Sequence, residues 1–144
     1  MTKKNSNFTF LPEVNYKILK DKYIKSYIAL IPKDLKTKED LMLAYEYALK
    51  PPYFGRNWDA LNEILHDFSW INQSEVIIAH DGLPTELDLK DLITMIDVLA
   101  YALQIFKDGP KEDRELPDGK HSLVVIFPSR DKNKIEELLK SSKV

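Results

Sequence analysis

Three short apolar runs constrain this chain more than any other feature: Tyr27-Ile-Ala-Leu-Ile31, Val76-Ile-Ile-Ala79 and Leu123-Val-Val-Ile-Phe127. None alternates apolar with polar residues, so each suits a strand covered on both faces of a sheet. Between and after them, apolar residues recur at helical spacing. Leu41, Ala44, Tyr45 and Ala48 form one such stripe, and Leu61, Ile64, Leu65 and Phe68 a second. Leu92, Ile96, Leu99, Leu103 and Phe106 form the longest, and a last helix is predicted from about Lys132 to Leu139. The order β, α, α, β, α, β, α implies parallel strands joined by helical crossovers. The expectation is an α/β fold with a small three-stranded parallel sheet packed with helices.

Local signals place the boundaries. Thr37-Lys-Glu-Asp40 reads as a capping box, and Pro51-Pro52 stops the helix it opens. Asn57 is the expected N-cap of the next helix, and Gly109-Pro110 ends the long one.

At 144 residues with 44% apolar content, the chain can bury one core and not two comfortable ones. It has no cysteine, which removes disulfides and thiolate zinc sites and suits a reducing compartment, so the cytoplasm is expected. Lys3 and Lys4 are followed by polar residues where a secretory signal needs an apolar run. Leu87 to Phe106 is interrupted by Asp88, Lys90, Asp91, Asp97 and Gln104, so no membrane span is expected. Net charge is only −2 but unevenly spread: residues 1–26 carry six lysines against Glu13 and Asp21, and 130–144 are also basic, leaving an acidic middle. Such a middle repels phosphate backbones and attracts basic partners, which disfavours nucleic acid. Charge alone equally describes a surface that keeps a protein soluble. Residues 1–26 are set apart as a basic N-terminal extension, and 27–144 as one domain.

The second helix carries the most informative pattern. Opposite its apolar stripe stand Asp59, Asn62, Glu63, His66 and Asp67. The acids Asp59, Glu63 and Asp67, at i, i+4 and i+8, stack on a helix of that length, and only Asp59 lies where the helix dipole offsets the repulsion. Any one of them reads as solvated surface; the stack points to a binding face. Beside it, Tyr53-Phe54-Gly55-Arg56-Asn57-Trp58 is a short aromatic loop of the residue types enriched at interface hot spots. One or both of Phe54 and Trp58 are expected to turn inward, and Gly55 is the residue suited to a positive φ.

The segment Pro52-Tyr-Phe-Gly-Arg-Asn-Trp-Asp-Ala-Leu61, continuing Asn-Glu-Ile-Leu65, resembles the signature of the barstar family of ribonuclease inhibitors. That pattern is Tyr-(Tyr/Phe)-Gly-x-Asn-(Leu/Trp)-Asp-Ala-Leu followed by a polar, often acidic helix, and the flanking elements follow the same order over roughly residues 27–129. The resemblance implies a compact domain whose loop and second helix plug the catalytic cleft of a ribonuclease or other basic toxin, as an immunity protein would. Tyr53, Gly55, Asn57 and Asp59 fall on partner-binding positions of the family. Glu63 falls where the family prototype has its most important acid, an Asp, and Asn62 where the prototype has a Trp. Asp67 extends the acidic face, and Asp108 matches the region of a further acid. The loop from Gly109 to Lys120 is an insertion relative to the prototype.

Two rivals stand beside this reading. Glu63-Ile-Leu-His66 has the Glu-x-x-His spacing of di-iron bundles, but such sites need a second copy and two more glutamates. His80 and His121 are expected to be satisfied surface or turn residues. No Ser/His/Asp order, Gly-rich phosphate loop or metal-ligand cluster is found, so the expectation is a monomeric binding protein without catalytic activity, cofactor or metal. The second rival keeps the fold and makes the chain an interaction module for a partner that is not a ribonuclease.

Overall fold

The computed structural model describes residues 7–108 and 121–141. Four parallel strands form one sheet in the order β1-β4-β3-β2: β1 is Thr9–Leu11, β2 Tyr27–Ile31, β3 Glu75–His80 and β4 Ser122–Pro128. Five helices surround it: α1 Tyr16–Lys22, α2 Lys38–Leu49, α3 Trp58–Ile64, α4 Leu89–Asp108 and α5 Lys132–Ser141. The α/β class and the parallel sheet are those the apolar runs require, but the sheet has four strands instead of three. The extra strand, Thr9-Phe10-Leu11, is too short to show a period, and it is held by its register with β4, Thr9 beside Ile126 and Leu11 beside Pro128. The segment that charge sets apart as an extension packs on this sheet: Leu19 is fully buried, and Phe8 meets Phe127 edge to face at 5.4 Å.

Side-chain alternation along the strands creates two apolar layers. Ala29, Ile31, Val76, Ile78, Leu123, Val125 and Phe127 face the larger, which α2, α3, α4 and α5 fill. Ile77, Ala79 and Ile126 face the smaller, closed by Val14 and Leu19, with Ile28, Leu30 and Val124 only partly covered. Among the described residues, no helix is long and apolar enough to cross a membrane.

Helix ends follow local chemistry. Asn15 Oδ1 accepts from the Ile18 amide at 2.9 Å and caps α1. Thr37 Oγ1 accepts from the Asp40 amide at 3.1 Å, while Asp40 Oδ2 accepts from the Lys36 amide at 3.1 Å, one residue further back than a capping box reaches. α2 ends where Lys50 turns left-handed at φ 53°, ahead of Pro51.

His80 departs from the expectation of a surface or turn residue: it closes β3 and is 1% exposed. The apolar run continues through it, because its ring stacks on Phe127 at 4.1 Å. Both nitrogens are engaged. The Ile126 carbonyl, 3.0 Å from Nδ1, can only accept, so Nδ1 carries the proton and Nε2 accepts from the Tyr45 hydroxyl at 2.7 Å. Burial pulls the ring's pKa from 6.5 to about 4, against the opposing pull of the Ile126 hydrogen bond. The same burial pushes the Tyr45 hydroxyl up.

The folded chain therefore holds a neutral ring, while the unfolded chain takes up a proton as the pH falls below 6.5. This contribution to stability is complete above that value and is lost progressively toward pH 4. Between about pH 7 and 5 the loss is expected to be about 2 kcal/mol, from the ~1.4 kcal/mol that each pKa unit carries. Denaturant unfolding at the two pH values should show it in the native chain and not in His80→Gln. An NMR titration should find the His80 ring still neutral at about pH 5, and a ring titrating near its ordinary value would refute the assignment.

Candidate functional site

The chain from Leu49 to Ile71 holds most of the residues that the sequence marks for binding, and its shape is fixed from several sides. The indole of Trp70 donates to the Leu49 carbonyl at 2.8 Å, which ties the end of α2 to the segment after α3. Fully buried Phe68 stacks on Phe106 at 5.7 Å and leans on Trp70 at 6.0 Å. The Ile71 carbonyl accepts from His121 Nε2 at 2.7 Å, so that ring nitrogen carries the proton. Within the loop, Phe54 is buried and Trp58 half-buried, while Tyr53 is 82% exposed.

The left-handed residue of this loop is Arg56, at φ 57°, and not Gly55. A Cβ at Gly55 would sit 3.4 Å from that of Ala60, an ordinary contact. Arg56 is held by α2, its Nε donating to Glu46 Oε1 at 2.8 Å. The next residue, Asn57, caps α3 as expected, its Oδ1 accepting from the Ala60 amide at 2.7 Å. The side-chain oxygen of a residue assigned to the partner is thus engaged inside the chain.

α3 is short. Leu61, Ile64, Leu65 and Phe68 are buried as their spacing predicts, and Asp59 and Glu63 are exposed with Asn62 half-buried between them. Asp67 does not join a helical stack, because the helix ends at Ile64 and Asp67 Oδ1 accepts from the Ser69 amide at 2.9 Å. An Asp that bonds two residues ahead favours a turn over a helix, so the acidic face of α3 reduces to Asp59 and Glu63, with Asp67 exposed beyond it. Asp108 is the last residue of α4, at the far end of that helix from its start at Leu89, and its side chain lies outside what is described. The 109–120 loop also lies outside the described residues.

The His66 ring lies against Tyr101 of α4 at 5.4 Å. Among the described residues, no group of three or more His, Cys, Asp or Glu side chains is placed to hold a metal ion. Glu46 and Trp70 are residues that the sequence did not bring forward, and His121 was read only as a satisfied surface or turn residue. They hold the Leu49–Ile71 stretch through partners 10, 21 and 50 positions away, separations at which no local pattern exists.

Compared with models of known protein families, residues 28–117 match the one described as Barstar (barnase inhibitor). No curated protein and no solved structure gives a match. The matched stretch runs from β2 through the loop, α3 and β3 to α4 and on into the 109–120 segment.

The cap at Asn57 makes a prediction independent of any partner. Asn57→Ala should lower unfolding free energy by about 1 kcal/mol, and Asn57→Asp should keep most of it, since only the side-chain acceptor matters to the cap. Paired denaturant curves test this; equal stability of native and alanine chains would show that the hydrogen bond to Ala60 carries no weight.

Proposed function

This chain belongs to the barstar family of ribonuclease inhibitors, and from that membership we propose that it occludes the active site of a ribonuclease toxin with its 53–57 loop and the exposed face of α3. Members of the family are inhibitors without catalysis of their own, so the surface has to bind and not to turn over. The observation that carries the proposal is that Tyr53, 82% exposed, and exposed Asp59 and Glu63 stand on one continuous stretch tied down by Phe54, Arg56 and Asn57. Side chains held in place before binding lose less entropy when they bind.

A ribonuclease presents Arg, Lys or His to its phosphodiester substrate. The Glu63 carboxylate takes the place of the scissile phosphate there, accepting charge-assisted hydrogen bonds, while Tyr53 covers the base-binding region. Gly55 leaves room for close approach of the partner's backbone. With its side chain committed to the cap, Asn57 contributes through its backbone and through the fixed angle of α3. Asp67 lies at the rim, where a charge steers encounter, and Asp108 is kept as a candidate on the family resemblance alone. The extra methylene of Glu63 and the half-buried Asn62 in place of the prototype's Trp fit a target whose cleft differs in depth from the prototype's. Such a protein acts in the cytoplasm as an immunity factor.

The second reading, an interaction module with a non-ribonuclease partner, draws on one observation: the cationic Arg56 side chain, 59% exposed, stands in the middle of this surface. Its pairing with Glu46 at 2.8 Å weakens that argument. RNA protection assays against a panel of secreted bacterial ribonucleases distinguish the two readings.

Against a ribonuclease that the chain inhibits, Tyr53→Ala and Glu63→Ala should each leave unfolding free energy within about 0.5 kcal/mol of native, because both side chains are exposed. Affinity should fall by about 2–5 kcal/mol for Glu63→Ala, a range partly defined on a ribonuclease–inhibitor pair of this family and therefore a benchmark. The loss should appear mainly in dissociation, whereas Asp67→Asn should slow association in a salt-dependent way. A folded Glu63→Ala chain that inhibits as well as native would remove the proposed surface.

A further inference from the structure

Exposed apolar side chains collect at a second place, away from α3. Of six large hydrophobic residues exposed among the described residues, Tyr16, Ile24, Leu43 and Tyr47 flank the outer edge of β2; the others are Tyr53 and Leu89. β2 ends the sheet, and in a parallel ladder alternate residues turn their N–H and C=O toward the neighbouring strand. The Ile31 carbonyl accepts from the Asp81 amide on the β3 side, so Tyr27, Ala29 and Ile31 bond inward. Ile28 and Leu30 therefore point their backbone groups outward.

A hollow lies on each side of this edge. On the α1 side, one of about 320 Å³ is lined by Tyr16, Lys20, Tyr23, Ile24 and Ile28, among others. On the α2 side, one of about 420 Å³ is lined by Leu30, Leu35, Leu43 and Tyr47 together with Asp34 and Asp40, whose charge turns carboxylates away from this face. The opposite edge of the sheet differs: β1 has only 3 residues, and Lys132 lies over its Phe10 ring, the short and charged kind of edge that discourages pairing. β2 has 5 residues and no charge.

Charge selects the occupant. The α1 side carries Lys17, Lys20, Lys22 and Lys25 against Asp21, which pairs with Lys17 at 3.3 Å, and Glu75, which accepts from Ser26 Oγ at 2.6 Å at the wall of the hollow. Two copies of the chain joined antiparallel at this edge would bring both lysine clusters to the same face, where they repel. We propose that the open edge of β2 is a second docking site, which takes an extended segment of another protein as a fifth strand. Successive side chains of that segment alternate between the faces, so carboxylates meet the lysines beside α1 while apolar side chains enter the hollow beside α2. This site is independent of the inhibitory surface.

The test uses the full chain and a short synthetic peptide alternating glutamate and valine, read by amide hydrogen exchange at Ile28 and Leu30. Controls are a lysine–valine peptide and a glutamate–valine peptide N-methylated at every residue, which has no amide donor left for a β ladder. The glutamate–valine peptide should slow exchange at both amides roughly tenfold at saturation, and the controls should not. Leu30→Pro, which removes an outward donor and leaves the bonds to β3, should abolish the effect; if that chain does not fold, the N-methylated control still decides. No slowing, or equal slowing by the lysine–valine peptide, overturns the proposal. Protection that instead rises with protein concentration alone also overturns it, in favour of a second copy at the edge.

Discussion

A strand that is apolar on both faces must be dry on both, and this requirement organises the molecule. β3 bears it in full, with Val76, Ile77, Ile78 and Ala79 all buried. On one side four helices supply the cover; on the other the work falls to Val14, Leu19 and the few residues around them. The N-terminal segment is therefore part of the sheet's protection. β1 pairs with β4, and the chain then crosses so that α1 shields Ile77, Ala79 and Ile126. His80 ends β3 inside the thicker layer, where an imidazolium would be costly, and the Tyr45 hydroxyl and the Ile126 carbonyl satisfy the neutral ring at both nitrogens.

The same demand for burial shapes the proposed recognition surface. α3 has 7 residues, too few to be stable alone in water. It persists because Leu61, Ile64 and Leu65 enter the core and Asn57 caps its first turn, and their burial turns Asp59 and Glu63 outward. The loop before it is fastened to α2 through Arg56 and anchored by Phe54, and the segment after it through Trp70. The hydrogen bonds of Arg56 and Trp70 both reach α2, so the position of the loop depends on that helix.

Much of this was legible in the sequence because burial leaves periods. The three apolar runs became strands; Leu41 and Tyr45 on α2, Leu61 and Ile64 on α3, and Leu92, Ile96, Leu99 and Leu103 on α4 are buried as their spacing predicts, and a helix forms where the last one is expected. The misses share a cause: a structure decided by contacts distant in sequence, or by one or two residues. Thr9–Leu11 has no period to detect and is a strand only because β4 is beside it. His80 looked like a turn residue because Asp81 and Gly82 follow it, whereas Phe127 and Tyr45 set its environment. The three-acid stack assumed a helix through Asp67, but a single side-chain hydrogen bond to Ser69 favours a turn there. Gly55 was the obvious residue for a left-handed turn, yet the chain reverses one residue later.

Arg56 raises the question of whether a cation in the middle of an acidic surface speaks against a basic partner, and magnitudes decide it. An ordinary residue in the left-handed region costs about 1–2 kcal/mol relative to its preferred conformations. Glycine there would avoid that cost but would add about 0.4–1 kcal/mol of unfolded-chain entropy to be lost on folding. The pair with Glu46, with side chains 59% and 31% exposed, contributes at most about 1 kcal/mol after solvent screening. Together these offsets match the strain, so the fold itself accounts for Arg56 without a partner contact. The guanidinium serves mainly to hold the loop against α2. Its charge is largely answered by Glu46, which leaves Asp59 and Glu63 to set the sign of the surface that an approaching protein meets.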